Sequence, residues 1–257
     1  MLLVDSHCHL DFPEFAQDLD DVVRRAGEQG VAAIVTVGTS VSSSRQCVEI
    51  AHKYSGVFAS VGIHPSEAAS ADSASLRELE ALARDQRVVA VGETGLDYHY
   101  GRDSAVIQQE VFRWHLDLAS RTGLPLIVHQ RESAQDLMRI LGETPAPCRT
   151  VFHCFGGDAL LAAFCLERGY FVSFTGILTF RNAQSVRDAA SAFPLERVLV
   201  ETDAPYLSPA PLRGRRNEPS RVRFVLEKLA SVRSLDPEAC AAQVWANACV
   251  FFNLHPA

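Results

Sequence analysis

The chain is predicted to be an α/β protein, a parallel (β/α)8 (TIM) barrel, and three observations predict it. Short runs rich in Val, Ile and Phe recur eight times along 257 residues. Each run is followed by a longer helical pattern, the alternation that gives either a barrel or a doubly wound sheet. Metal-competent side chains then stand at the C-terminal ends of six of the eight runs. A barrel gathers all eight strand ends on one face, whereas a doubly wound sheet would spread them along a crevice.

The runs are residues 2–7, 31–38, 57–62, 88–93, 125–129, 150–153, 170–175 and 198–203. Their continuous apolarity suits strands buried on both faces, as in a parallel sheet. Of the helices between them, residues 75–84 open on Ser75-x-x-Glu78, read as a capping box. Residues 106–121 close on Gly123, a usual C-cap. Asp158 caps the helix after the sixth run, and Asp236-Pro237-Glu238 starts the last helix with proline at its first position. The length is near the roughly 250 residues typical of this barrel, so residues 1–257 are expected to form one domain.

Hydrophobic residues make up 47% of the chain and charged residues 21%, and no apolar run approaches the ~18 residues that would cross a bilayer. No membrane association is expected. The start, Met1 to His7, has no basic region ahead of an apolar stretch, so no export signal is expected. Seven cysteines (Cys8, Cys47, Cys148, Cys154, Cys165, Cys240, Cys249), an odd number without a C-x-x-C pair, suggest no disulfide framework, no disulfide-linked partner and a reducing cytoplasm. A net charge of −7 excludes a protein coated in basic surface for non-specific nucleic-acid binding, but not a local basic patch.

In Asp5-Ser6-His7-Cys8-His9 the period of two turns both imidazoles to one face and Cys8 to the other, so His7 and His9 can chelate one ion. Glu93 ends the fourth run between Gly92 and Gly95, which would leave room for an ion near the backbone. Many two-metal barrels bridge their ions with a carbamylated lysine. The only lysines here, Lys53 and Lys228, fall in predicted helices, so Glu93 is the candidate bridge. His129 and His153 are then placed to hold a second ion, and Asp203 to complete the first. Cys8 and Cys154, each flanking a candidate ligand, are expected to pack away from it. His52, His115 and His255 are expected to be structural or exposed, and His99 lies in a loop with no assigned role.

These residues carry a resemblance. The chain resembles the TatD family of metal-dependent nucleases in seven ordered motifs: Asp5-Ser6-His7-Cys8-His9-Leu10-Asp11, Gly62-Ile63-His64-Pro65, Gly92-Glu93-Thr94-Gly95-Leu96-Asp97-Tyr98, Ile127-Val128-His129, His153-Cys154-Phe155-Gly156-Gly157, Glu201-Thr202-Asp203-Ala204-Pro205 and Arg213 to Pro219. Gly157 stands where the family often has serine. The resemblance implies a hydrolase barrel with His7, His9, Glu93 and Asp203 around one metal, and Glu93, His129 and His153 around another. It also implies 3′-5′ exonuclease or other phosphodiesterase activity on DNA or RNA ends, usually with magnesium. So many imidazoles suit zinc or manganese better, which leaves magnesium, manganese and zinc all open.

Glu93, Asp203 and His64 are the expected catalytic groups: Glu93 as bridge, Asp203 to orient or deprotonate a water, and His64 beside the phosphoryl oxygens. Arg131, Arg181, Arg213, Arg215 and Arg216, on loops at the mouth of the site, favour phosphate as the substrate group, against surface salt-bridging as their alternative use. The rival reading is a deacylase or amidohydrolase, for example one acting on D-aminoacyl-tRNA, because the same activated water can attack a carbonyl. A metal-stabilised binding protein would require ligands to be missing, and none is.

Overall fold

A computed structural model describes residues 1–144, 146–147 and 149–254; Cys148 and His255 lie outside the described residues. The eight strands are β1 (Leu3–Cys8), β2 (Val31–Val37), β3 (Val57–Val61), β4 (Val88–Asp97), β5 (Leu126–Arg131), β6 (Thr150–Phe152), β7 (Phe171–Phe174) and β8 (Val198–Val200). Every neighbouring pair is parallel, and the strands lie in sequence order from β1 to β8. The ring closes at its C-terminal rim, where the Asp203 N–H donates to the His7 carbonyl at 2.9 Å and the His9 N–H to the Ala204 carbonyl at 2.8 Å.

Helices α1 (Leu19–Glu28), α2 (Val41–Lys53), α3 (Ser73–Leu82), α4 (Ala105–Thr122), α5 (Ala134–Glu143), α6 (Ala159–Arg168), α7 (Gln184–Ala192) and α8 (Val222–Val232) follow the strands in turn. A ninth, α9 (Pro237–Phe252), packs on β1 and β8 across the seam. The strands are buried on both faces, with β1, β7 and β8 buried along their whole length, as their apolar runs require. Among the described residues no helix is long and apolar enough to cross a membrane.

The caps at Asp158, Asp236 and Gly123 form as expected, Gly123 with a left-handed φ of 71°. The third helix starts earlier than its Ser75-x-x-Glu78 signature suggested. Asp72 is the cap, accepting from the Ala74 and Ser75 amides, while Ser75 Oγ accepts from the Asp72 amide at 2.8 Å. The box is real, but Ser75 is its inner member, because an aspartate three residues upstream competes better for the free N–H groups.

Strand β4 also differs from expectation. It runs on to Asp97, so Glu93 sits within it, beside a register shift between Val91 and Thr94 against β5. The glycines there make room for neighbouring strands. A Cβ on Gly95 would lie 2.1 Å from the His129 carbonyl oxygen, and one on Gly62 would lie 2.6 Å from the Gly92 carbonyl carbon. Only glycine lets β3, β4 and β5 approach this closely, and that approach brings His129 onto Glu93.

Candidate metal centre

The barrel closure sets the first cluster. β1 delivers His7 and His9, and the segment after β8 delivers Asp203, whose backbone is left-handed with φ 55°. That conformation is uncommon for a residue with a side chain and recurs where a site over-determines it. His7 Nε2 lies 3.3 Å from Glu93 Oε2 and 3.8 Å from Asp203 Oδ1, and His9 Nε2 lies 3.4 Å from Asp203 Oδ1 and 3.9 Å from Glu93 Oε2. Metal bonds of about 2.0–2.2 Å give tetrahedral edges of roughly 3.3–3.6 Å, close to these separations.

The second cluster uses the other oxygen of the same carboxylate. Glu93 Oε1 lies 2.8 Å from His129 Nδ1 and 2.7 Å from His153 Nε2, and those two nitrogens are 3.2 Å apart. Glu93 therefore faces one cluster with each oxygen, the disposition a bridging carboxylate needs. The ligand set read from the strand ends is brought together entirely.

Hydrogen bonds behind the rings decide which nitrogen can donate a lone pair. His9 Nδ1 is 3.0 Å from the Val37 carbonyl, which can only accept, so a proton sits there and Nε2 is the nitrogen turned to Asp203 and Glu93 and available to a cation. His129 Nε2 is 3.1 Å from Asp97 Oδ2, leaving Nδ1 as the lone pair beside Glu93. Both nitrogens of His7, and Nδ1 of His153, are buried without a hydrogen-bond partner among the described residues. Imidazole nitrogens and carboxylate oxygens crowded together, with buried ring nitrogens lacking hydrogen bonds, fit a divalent cation site.

His64 behaves differently. Its Nδ1 accepts from the Ser66 amide at 3.1 Å, so its proton is on Nε2, which points to Glu93 Oε1 at 3.7 Å. Burial pushes this ring down to about 4, so it is a neutral N–H donor at neutral pH. It sits within ligand distance of Glu93 and His129, but a protonated nitrogen cannot bind a metal. Burial opposes ionisation of Glu93, yet the positive charge of His153 and the hydrogen bond to His129 hold it well below the usual carboxylate range.

Three carboxylates behind the ligands belong to the site and were given no role from sequence. Asp97 holds His129. Buried Glu201 accepts from the Cys154 amide at 2.7 Å and Ser173 Oγ at 2.5 Å, and its Oε1 lies 3.4 Å from His153 Nδ1. Asp5 accepts from the Thr202 amide and hydroxyl at 2.8 and 2.5 Å, fixing the segment that carries Asp203. The usable signal was position: Asp97 and Glu201 lie at or just beyond a strand end, four and two residues from a candidate ligand, and Asp5 shares a strand face with His7.

The clusters floor a cleft of about 1070 Å³, whose walls include Phe12, Thr39, Glu67, Tyr100, Arg131 and Tyr206. Of the five arginines expected at the mouth of the site, Arg131 lines the cleft and Arg181, Arg213, Arg215 and Arg216 do not. Arg216 pairs through both terminal nitrogens with Asp18, at 2.8 and 2.7 Å, and donates to the Glu14 carbonyl. Arg213 lies over the Phe180 ring at 3.5 Å. Their spacing after Asp203 suggested a phosphate grip; for Arg216 the β1–α1 loop, invisible in the local sequence, supplies the partner instead.

The remaining described histidines are used structurally. His115 is buried, accepting from the Ile63 amide and bonded to the Val111 carbonyl. His52 pairs with Asp85 and His99 with Glu132. Lys53 and Lys228 are helical as expected, and Lys53 is engaged by Asp20.

Comparison with known proteins agrees with this geometry. The family described as TatD related DNase matches residues 4–253. The chain is similar to the uncharacterized metal-dependent hydrolase TatD of Mycobacterium tuberculosis, with 41% identity over 254 residues and 96% of each chain covered. It is 32% identical over 258 residues to the 3′-5′ ssDNA/RNA exonuclease TatD of Salmonella typhimurium, covering 98% of this chain and 99% of that one. The crystal structure of YjjV, a TatD homolog from Escherichia coli, superposes with a TM-score of 0.92 at 32% identity, covering 98% of each chain.

Proposed function

The chain belongs to the TatD related DNase family of metal-dependent hydrolases, and from that premise we propose that it is a two-metal phosphodiesterase acting as a 3′-5′ exonuclease on DNA or RNA ends. The observation that carries the reading is Glu93, which turns Oε2 to His7 and His9, the pair that also faces Asp203, and Oε1 to His129 and His153. His7, His9, Glu93 and Asp203 would hold one cation, and Glu93, His129 and His153 the other. When bound, such a pair supplies a water acidified toward neutral pH and positive charge for the phosphoryl oxygens.

The protein's own groups do the rest. Asp203, whose side chain is partly open to the cleft, orients the attacking water and takes its proton. His64, neutral with its proton on Nε2, donates to a phosphoryl oxygen as negative charge grows there. Arg131 on the cleft wall meets a neighbouring phosphate. The similarity to an exonuclease of ssDNA and RNA favours the phosphodiester over the acyl substrate.

The test is a panel of purified protein, stripped and reloaded with magnesium, manganese or zinc, on single-stranded DNA, RNA and D-aminoacyl-tRNA. Shortening of oligonucleotides from the 3′ end is expected. Hydrolysis of the aminoacyl ester alone would replace this reading with the deacylase.

A further inference from the structure

The mouth of the cleft carries exposed aromatic rings in two places. Tyr206, after β8, is 52% exposed and meets Phe12 edge-on at 6.1 Å, and Phe12 stacks on His9 at 4.6 Å. Tyr100, after β4, is 91% exposed, with the Arg131 guanidinium at the end of β5 lying 5.8 Å from its ring centre. All five residues line the same cleft. In a ring ordered β1 to β8, the β8–β1 seam and the β4–β5 pair are half a turn apart. The two sets of rings are therefore opposing lips with the Glu93 clusters between them. Large exposed rings gathered around one cleft mark a binding surface, unlike apolar residues scattered singly.

We propose that the lips are base platforms. One nucleobase stacks on Tyr206 and Phe12, its neighbour stacks on Tyr100 and Arg131, and the phosphodiester joining them lies over the metal clusters. The inference rests on the nuclease reading and deepens it: the recognised unit is an unpaired dinucleotide step. Bases held in a duplex cannot lie on protein rings, and stacking tolerates every base because each has a π face. The size agrees, since about 1070 Å³ is at the upper end of the range for small ligands, roughly 300–1000 Å³, and far short of a duplex. The charge agrees too. Arg131 is the one Lys or Arg among the described lining residues, and Glu67 and Asp103 share the wall with it, so long tracts of phosphate find little to grip.

The experiment compares single-stranded oligonucleotides, intact at the 3′ end, with the same strands made abasic at the terminal or the penultimate residue. For the wild-type protein each missing base is expected to raise KM about tenfold while changing kcat less. Tyr206→Ala should lose sensitivity to one of the two positions and Tyr100→Ala to the other. Tyr206→Phe and Tyr100→Phe should keep both, and metal content should be equal in all. Equal KM on intact and abasic strands, or alanine variants that keep both sensitivities, would overturn the platforms and leave the nuclease reading standing. A wild-type protein that cuts no nucleic acid with any of the three metals would remove the nuclease reading and the platforms together.

Discussion

Asp97 holds the imidazole of His129 from behind, with Oδ2 at 3.1 Å from Nε2, so that Nδ1 faces Glu93. Partners of this kind fix the tautomer and raise ligand basicity, and losing one typically costs about 10–100-fold in metal affinity. Asp97→Ala should lower affinity for the second ion by that factor and leave the first unchanged. Titration calorimetry that found two unaltered sites would show that Asp97 serves only its other bond, to the His99 amide.

Glu93→Gln keeps the volume of the side chain and removes the charge that lets one group serve two cations. Activity should fall by orders of magnitude and bound metal from about two ions per chain to one or none, with an unchanged circular dichroism spectrum. Full metal content, read by elemental analysis, would mean that the bridge lies elsewhere.

His64→Asn separates donor from ligand. Removal of one preorganised donor to developing charge typically slows the chemical step by about a hundred- to a thousandfold. The variant should show that drop in kcat with metal stoichiometry intact. Loss of an ion would make His64 a ligand, against the tautomer set by Ser66.

The arginines should divide by location. Arg131→Ala should weaken oligonucleotide binding and reduce the dependence of log affinity on log salt by about one. Arg216→Ala should leave both unchanged and instead lower the melting temperature by a few degrees, since it unties Asp18 and the Glu14 carbonyl. A salt slope altered by Arg216→Ala would return that residue to the substrate.

Stability should carry the signature of His115. Burial holds its pKa down at about 4, while the unfolded ring titrates near its ordinary 6.5. Between those values the unfolded chain binds the extra proton, so this contribution is present above pH 6.5 and shrinks as pH falls, by roughly 3 kcal/mol in all by pH 4. His115→Gln should be less stable at neutral pH yet lose less between pH 7 and 4 in urea melts. Parallel curves for the two proteins would remove His115 as the cause.

The candidate ligands were legible because a barrel converts position in sequence into position in space: side chains at the strand ends gather at one face. His7, His9, His129, His153 and Asp203 needed little more, while Glu93, inside β4, was found because its strand was expected to end there. Asp97, Glu201 and Asp5 stood in the same motifs, but which nitrogen each carboxylate or backbone segment serves depends on side-chain direction, which spacing does not give. Arg216 was misplaced for a related reason. Its partner Asp18 is nearly 200 residues away in sequence, and a cluster of charge looks the same whether it grips a phosphate or an aspartate of its own chain.

The two backbone bonds that close the ring, Asp203 to His7 and His9 to Ala204, join the end of its first strand to the segment after its last. A chain emerging from the ribosome can pair β1 with β2 early, but His7 and His9 gain neither Asp203 nor their closing bonds until synthesis has passed residue 204. At roughly 5–20 residues per second that is a wait of order ten seconds or more. The candidate metal centre is thus completed last, and a chain that stops short of residue 203 lacks one carboxylate of its first cluster.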